Sequence, residues 1–330
     1  MDAFGRRMQQ SRLYAIAAEA SYILRWLALK MISLLMKFAP MQRRQRERAV
    51  IAIGNALFSP MFSKEVYASF DSYVTLTDSS LDVYENLFPQ QHWLRGCKIL
   101  DLGSGLGQFS QLLVEHGAAS VTGLEYQESK AKWSAARSAS HKLRFVVGSA
   151  EAMPFDNGSF DTVFSHTVFE HINDVESALK EVCRVLKPDG VALISYNFFH
   201  HRGGHHLFPY VHFPWAPWIV SEAALCRYWS ERLSEDQAAG QMGFYEQGAS
   251  IQSLSEGAEI HLNKLNFEEF EEKAKQAGLS ILRRRSSEEF VRLFPWLIRL
   301  PRLRYFLAGT FYYVLTPTSS TWTSTSTRSE

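Results

Sequence analysis

From Lys98 onward, short apolar runs alternate with amphipathic stretches along the chain. The apolar runs predict strands at Lys98–Leu102, Ser120–Leu124, Leu143–Val147, Phe160–Ser165, Val191–Ser195, Leu279–Arg285 and Thr310–Leu315. The amphipathic stretches predict helices at Phe109–Glu115, Gln127–Ser138, Val175–Leu186 and Phe267–Ala277. Strands that alternate with helices form a mostly parallel sheet with both faces covered. The pattern therefore predicts a doubly wound α/β domain.

The N-terminal region has a different pattern. Residues 13–40 are rich in large apolar side chains, but four charged residues interrupt them: Glu19, Arg25, Lys30 and Lys37. A transmembrane helix needs about 20 mostly uncharged residues, so this segment is better explained as an amphipathic helix. Four arginines follow directly, Arg43, Arg44, Arg46 and Arg48. An apolar helix followed by a basic run is typical of a membrane-surface anchor over residues 13–48, while a helix packed on the domain or on a second subunit is the alternative.

These patterns divide the chain into three parts. Residues 1–95 form a helical arm and a segment that covers the cleft, and residues 96–316 form the main domain. Within that domain, residues 197–259 are a substrate-binding insertion after the fifth strand, rich in His, Pro and aromatic residues. Residues 317–330 are mostly Ser and Thr, a composition that predicts disorder.

Composition narrows the possible partners. The net charge of +1 gives the whole chain no strong field toward nucleic acid, so we expect no nucleic-acid partner. The three cysteines, Cys97, Cys183 and Cys226, lie far apart and form neither a disulfide framework nor a zinc-ligand spacing. With no evident cleavable signal peptide, we expect a cytoplasmic location, with peripheral contact at the inner face of the membrane if the arm is an anchor.

The segment KILDLGSGLGQFSQLL, Lys98–Leu113, carries the main chemical signal. A strand, a glycine turn and a helix follow one another without a gap. Gly103, Gly105 and Gly107 allow a sharp turn and leave no Cβ between the backbone and a ligand, while the helix directs its N-terminal N–H groups to the same place. Glu125 ends the next strand, where a carboxylate can accept both hydroxyls of a ribose.

The glycine spacing helps to identify the ligand. A dinucleotide fingerprint G-x-G-x-x-G would need a third glycine at position 108, where this chain has Gln108. The stretch instead resembles the first motif of class I S-adenosylmethionine-dependent methyltransferases, especially the type 11 group. Three further segments resemble later motifs of that family in the same order: LRFVVGSAEAMPFDNGSFDTVF (Leu143–Phe164), SHTVFEHI (Ser165–Ile172) and VCRVLKPDG (Val182–Gly190).

The resemblance implies a Rossmann-like fold with seven strands and a set of cofactor contacts. It implies that Asp101, Gly103, Ser104, Gly105 and Gly107 line the methionine and ribose end of S-adenosylmethionine, that Glu125 holds the ribose, and that Tyr126, Ala150 and Glu151 border the adenine. Ser165 and His166 would close the methionine side. Ser149 departs from the family, which usually has an aspartate there; a hydroxyl also accepts a hydrogen bond, but more weakly.

Two groups of residues are candidates for acceptor chemistry. His171, in FEHIND, is a candidate general base because imidazole titrates near neutral pH, although it could equally order the start of the next helix. The run Asn197–Trp215 follows the fifth strand and contains the predicted substrate-binding residues His200, His201, His205, His206, Tyr210 and His212. Gly203 and Gly204 argue against a helical His-x-x-x-His pair, so we expect no metal.

The sequence therefore predicts a methyltransferase whose acceptor it does not name. O-methylation of a glycan, a lipid-linked sugar or a small molecule is the first expectation, partly because Gly204–Leu207 (GHHL) and the following Pro and Trp faintly resemble type 11 proteins linked to glycan assembly. C- or O-methylation of a quinone or lipid is the alternative. A non-catalytic cofactor-binding regulator fits the same motifs, and a nicotinamide dehydrogenase is disfavoured by Gln108. The oligomeric state stays open.

Overall fold

The computed structural model describes residues 20–21, 23–58, 93–138, 140–199, 201, 204–207, 210–238, 262–286 and 309–319. The chain divides into two compact units. The first, here the helical unit, comprises Met1–Phe70, Phe199–Leu262 and Ser286–Gly309, and the second, the sheet unit, comprises Asp71–Phe198, Asn263–Arg285 and Thr310–Glu330. The predicted boundaries at residues 95 and 317, and the predicted insertion over 197–259, stay predictions.

The sheet unit contains a seven-stranded sheet in the order β3-β2-β1-β4-β5-β7-β6. Its strands are β1 (Lys98–Leu102), β2 (Ser120–Glu125), β3 (Leu143–Val147), β4 (Phe160–His166), β5 (Leu186–Asn197), β6 (Leu279–Ser286) and β7 (Thr310–Pro317). Strands β1 to β5 pair in parallel, and β7 runs antiparallel to β5. This topology confirms the predicted Rossmann-like fold with a mostly parallel sheet. The chain order reverses beside β1, where open α/β sheets bind ligands.

Five strands extend past their predicted bounds: β2, β4 and β6 by one residue each, β7 by two residues, and β5 at both ends. β5 begins at Leu186, which pairs with Phe160, whereas the next pair joins Val191 to Thr162. The residues between Leu186 and Val191 therefore bulge out of the register, and the Lys-Pro-Asp-Gly run that resembles a turn lies within this irregular stretch. β7 continues through Pro317, past the predicted end at Leu315.

Helices cover the sheet where the sequence predicts them, at α3 (Gln108–Glu115), α4 (Glu128–Arg137), α5 (Val175–Val185) and α7 (Phe267–Gln276). α5 buries Val175, Ala178, Leu179, Val182 and Val185, which recur at helical spacing, and it packs against β5 and α7. Its N-terminus is capped by Asp174, whose side chain accepts from Ser177 N–H at 3.1 Å. Asn266 and Glu269 form a capping box at the start of α7.

The helical unit contains α1 (residues 20–36 apart from residue 22), α2 (Arg43–Phe58) and α6 (Glu222–Ala238). Its core joins α1 and α2 to the segment after residue 204 and to α6, through Leu29, Ile51, Phe213, Leu225 and Trp229 among others. A Cβ on Gly54 in α2 would lie 2.5 Å from Phe213 and 2.9 Å from Leu29. α1, α2 and the Phe213 segment therefore pack too closely at this position for any residue larger than glycine. Among the described residues, no helix is long and apolar enough to cross a membrane.

Candidate functional site

The turn between β1 and α3 needs glycine at all three predicted positions. Gly103, Gly105 and Gly107 have φ of 74°, 55° and 83°, which side chains other than glycine rarely adopt. A Cβ on Gly103 would lie 2.4 Å from Val168, and one on Gly107 would lie 2.6 Å from Phe145. At Gly105, no heavy atom would lie within 4 Å of an added Cβ. The turn is therefore closely packed at both ends and opens onto space at Gly105.

Glu125, at the end of β2, holds this turn in place. Its Oε2 accepts a hydrogen bond from Gly105 N–H at 2.8 Å, and its Oε1 accepts from Gln127 N–H at 2.9 Å. Gly103 and Ser104 donate their backbone N–H groups to Leu124 O at 2.8 and 3.0 Å. An ionised carboxylate offers about four acceptor positions, so two remain on Glu125 for the hydroxyls of a ligand.

Two polar atoms of the turn are buried and, within the described residues, have no hydrogen-bond partner. These are Oγ of Ser104 and Nε2 of Gln108, the first residue of α3. Buried polar groups are nearly always hydrogen-bonded, so these two atoms are candidates for contact with a ligand or a water. The sequence motif includes Ser104, whereas Gln108 stands out in the sequence only as the position of a missing glycine.

Asp101 lies in β1, two residues before Gly103. It is 2% exposed, and its Oδ2 accepts from Ser110 Oγ on α3 at 2.5 Å. Burial, opposed by the Ser110 hydrogen bond, raises the pKa of Asp101 to about 7. The carboxyl group therefore links β1 to α3 and has little exposed surface of its own.

The loop after β3 carries the residues predicted to border adenine. Gly148 N–H donates to Glu125 O at 3.0 Å, which joins this loop to the end of β2. Oγ of Ser149 accepts from Glu151 N–H at 3.1 Å, and Glu151 accepts from Asp174 N–H at 3.0 Å. The loop is thus braced by its own side chains. Ala150 is half-buried, and the Tyr126 side chain is 78% exposed.

The end of β4 provides another edge of the site. Ser165 is fully buried and donates to Leu102 O at 3.3 Å. His166 Nδ1 lies 2.9 Å from Ser195 Oγ, which also accepts from Thr167 N–H at 3.0 Å. This arrangement favours the neutral tautomer with its proton on Nε2, because the hydroxyl proton of Ser195 can then point to Nδ1. Burial lowers the pKa of His166 to about 4.

His171 lies in a short 3-10 turn, Phe169–His171, that follows β4. Its side chain keeps an exposed surface, yet desolvation by the surrounding protein lowers its pKa, and the charge of Lys130 adds to this effect. The imidazole is therefore neutral near pH 7. Lys130, on α4, interacts electrostatically with both Glu125 and His171, and desolvation lowers its own pKa. Lys130 is not identifiable as a site residue from the sequence, because helical periodicity marks it only as a surface lysine.

A residue distant in sequence fixes the turn that carries His171. Asn263 donates through Nδ2 to Phe169 O at 2.5 Å and to Ile172 O at 2.9 Å, and its backbone N–H donates to Glu170 O at 2.9 Å. Its Oδ1 accepts from the Tyr196 hydroxyl on β5. The neighbouring Glu170 is 1% exposed, and burial raises its pKa to about 8, against hydrogen bonds from Asn197.

The predicted substrate-binding histidines belong to the helical unit. His205 is fully buried, and Tyr210, 4% exposed, lies with its ring centroid 6.2 Å from that of Trp229. The other described members, His201, His206 and His212, are half-buried, and His200 lies outside the described residues. The sheet unit by itself brings together the predicted cofactor residues and His171. A substrate role for the histidines stays a prediction, as does the absence of a metal.

Comparisons with known proteins match part of the sheet unit. A family model described as a methyltransferase domain, the type 11 group, matches residues 100–194. A sterol 24-C-methyltransferase of Aspergillus fumigatus is 38% identical over 119 residues, which are 33% of this chain and 32% of the relative. A demethylmenaquinone methyltransferase of Chlorobaculum tepidum is 37% identical over 97 residues, 29% of this chain and 39% of the relative. The chain spans about a third of the length of such relatives.

Solved structures with similar folds include an S-adenosylmethionine-dependent methyltransferase from Mesorhizobium loti. It is 15% identical, with 70% of this chain and 96% of that chain covered and a TM-score of 0.45. The PH0226 protein from Pyrococcus horikoshii is 20% identical, with 76% and 95% covered and a TM-score of 0.46.

The strand order and the glycine turn held by Glu125 define a class I S-adenosylmethionine-dependent methyltransferase domain. Within that class, residues 100–194 belong to the type 11 group, whose methyl donor is S-adenosylmethionine. The site fits this cofactor on its own geometry. It has open space at Gly105, two acceptor positions on Glu125, and buried polar atoms on Ser104 and Gln108 that lack a partner among the described residues.

Proposed function

We propose that the whole chain transfers a methyl group from S-adenosylmethionine to an oxygen of a glycan, a lipid-linked sugar or another small molecule. The observation that carries this proposal is the turn at Gly105, which is open to a ligand and tied to Glu125. Asp101, Gly103, Ser104, Gly105, Gly107, Glu125 and Tyr126 would hold the methionine, ribose and adenine parts together with Ser149, Ala150, Glu151, Ser165 and His166. Gln108 joins this set as a further polar contact.

The cofactor supplies a methyl group on a positively charged sulfur, so the protein mainly aligns an acceptor and excludes water. Glu125 and the glycine turn would hold the cofactor in a fixed position, because the hydrogen bonds of the turn restrict its movement. His171 is proposed to accept the proton that an acceptor hydroxyl loses as its oxygen bonds to carbon. Its lowered pKa keeps the ring neutral and able to accept a proton near pH 7, although it also makes the ring a weaker base.

Cofactor binding is tested by calorimetry with S-adenosylhomocysteine. Gly105→Leu should weaken binding by at least about tenfold, since the new side chain would enter the open space at the turn. Gly96→Leu is a matched control, because Gly96 also has positive φ, 76°, and also has no heavy atom within 4 Å of an added Cβ. Equal loss of affinity in both variants would show that backbone strain, and not the site, is responsible.

A second acceptor class is favoured by the relatives. Their names describe methylation of a sterol, a demethylmenaquinone and tocopherol, which are apolar ring compounds. We therefore retain C- or O-methylation of a quinone or lipid as the alternative. Transfer of a labelled methyl group to a panel of sugars, lipid-linked sugars and prenylated quinols tests both, and it also tests the non-catalytic alternative. Cofactor binding with no transfer to any acceptor class would favour a regulatory protein.

The proposed location is cytoplasmic, with peripheral contact to the inner face of the membrane through residues 13–48. Support comes from the described part of that segment, where α1 carries exposed apolar side chains and α2 begins with arginines. A lipid or lipid-linked acceptor would be encountered at such a surface. Fractionation of cells that express the tagged chain tests the location.

A further inference from the structure

α1 presents a second apolar face that the helical unit does not cover. Among the described residues, ten large apolar or aromatic side chains are exposed, and seven of them lie between residues 24 and 41. Six form a continuous apolar stripe along α1 and the turn after it: Leu24, Leu27, Met31, Leu34, Leu35 and Phe38, with exposed fractions from 48% to 85%. At about 100° per residue, the stripe covers roughly a third of the helix circumference.

The opposite face of α1 anchors the helix to its unit. Trp26 and Leu29 are buried, and the Trp26 ring lies 5.9 Å from the Trp215 ring in an edge-on arrangement. Ser33 donates to Ile219 O at 3.2 Å, and Lys30 donates to Trp218 O. The helix is therefore held by packing on one face, so the exposed stripe is a fixed feature of the unit and not a result of fraying.

Basic residues border the stripe. Residues 20–50 contain seven Lys or Arg and one Glu, a net charge of +6. Lys30 and Lys37 lie on one side of the stripe and Arg25 on the other, by helical projection. Arg43 and Arg44 follow at the start of α2, where both are exposed. Trp218, whose backbone oxygen accepts the hydrogen bond from Lys30, is 38% exposed.

We propose that the apolar stripe docks on a bilayer that contains anionic phospholipid. Apolar side chains enter the boundary between headgroups and acyl chains, while flanking Lys and Arg contact phosphates, as in interfacial helices. A second copy of the chain is disfavoured as the occupant, because two copies of a segment with a net charge of +6 would repel each other at close approach. The proposal deepens the peripheral contact suggested above, and it does not depend on methyl transfer.

The test is sedimentation of the full-length chain with two kinds of vesicle, pure phosphatidylcholine and phosphatidylcholine with one-third phosphatidylglycerol. We expect the parent to bind the anionic vesicles at least about tenfold more tightly, with partial release by salt that screens charge over about 10 Å at 0.1 M. The double variant Met31→Ser, Leu35→Ser should lower that affinity by roughly tenfold or more, because two large apolar groups no longer insert. Val147→Ser removes a comparably exposed apolar side chain (47%) in the sheet unit and should bind like the parent.

Three results would overturn the proposal. The double variant could bind vesicles as the parent does. It could convert a dimeric parent to a monomer while neither binds vesicles, which would identify a second copy as the occupant. It could lower the thermal midpoint by many degrees, which would mean that the stripe is covered within the fold. Calorimetry with S-adenosylhomocysteine on the same samples separates each result from the proposed methyl transfer, since cofactor binding should be unchanged in the double variant.

Discussion

Glu125 accepts a hydrogen bond from the backbone N–H of Gly105 across 2.8 Å, so the carboxylate at the end of β2 fixes the turn after β1. The same carboxylate accepts from Gln127 N–H, at the start of α4. One side chain thus joins two consecutive strand–helix turns. A ligand that uses the remaining acceptor positions of Glu125 would be held against a turn that is already ordered.

Glu125→Gln should weaken S-adenosylhomocysteine binding by about 10- to 100-fold, because hydrogen bonds to a charged acceptor contribute about 1.5–3 kcal/mol each. The new amide would also place its NH₂ group opposite one of two backbone N–H donors. Calorimetry measures the affinity, and Glu128→Gln provides the control, since Glu128 is exposed and pairs only with Lys132 among the described ion pairs. An unchanged affinity in Glu125→Gln would contradict the ribose assignment.

His171→Ala should lower kcat by about 10²–10⁴-fold without changing cofactor affinity, if the imidazole is the general base. Because the pKa of His171 is lowered, its base form is already complete near neutral pH and is lost only in acid. The parent rate should therefore vary little with this group between about pH 6 and 8, and should fall as the pH approaches its pKa. His141→Ala, at an exposed position, is the control. Activity within a few-fold of the parent would leave alignment as the catalytic contribution.

Asn263→Ala should destabilise the sheet unit by about 2–3 kcal/mol and lower kcat more than cofactor affinity. Two backbone carbonyls, those of Phe169 and Ile172, and the Tyr196 hydroxyl lose their side-chain partner. The turn that carries His171 would then be less well fixed. Denaturant unfolding and steady-state kinetics measure the two effects, with Asn173→Ala, exposed in the same region, as the comparison. A stability loss with kcat unchanged would assign Asn263 a purely structural role.

His205→Ala should destabilise the helical unit, whatever its effect on acceptor binding, because His205 is fully buried. Burial lowers the pKa of His205 to about 3, so the unfolded chain binds a proton at this residue at a higher pH than the folded chain does. The contribution of His205 to the stability of the parent is therefore fully present above the unfolded pKa of about 6.5 and is lost as the pH falls toward 3. Thermal unfolding at several pH values should show this loss reduced in the variant. His201→Ala, at a half-buried position, should change stability less.

Local pattern was sufficient to predict most of the sheet unit. The α5 face and the glycine turn depend on spacings within about ten residues, and both are found where the sequence places them. The antiparallel pairing of β7 with β5 was not predictable from alternation, since apolar runs do not encode strand direction. The bulge before Val191 depends on how β4 and β5 align across the sheet.

The site was predictable only where a motif lies in one continuous segment. Asn263 was not predictable, because it donates hydrogen bonds to residues about ninety positions earlier, and only folding brings them together. The interaction of Lys130 with Glu125 likewise depends on how α4 lies against the end of β2, which the sequence does not show. His205, in contrast, was identified from the sequence, but its role was not. A histidine among aromatic residues suits a binding loop or a core, and tertiary packing decides between them.

The helical unit should be sensitive to any substitution of Gly54, even by alanine. Any other residue there introduces at least a methyl group, which would lie 2.5 Å from Phe213 and 2.9 Å from Leu29. A single-base substitution that replaces this glycine would therefore disturb α1, α2 and the Phe213 segment at once. Mutational scanning should find position 54 among the least tolerant in the chain, although it is remote in sequence from every residue proposed to touch the cofactor.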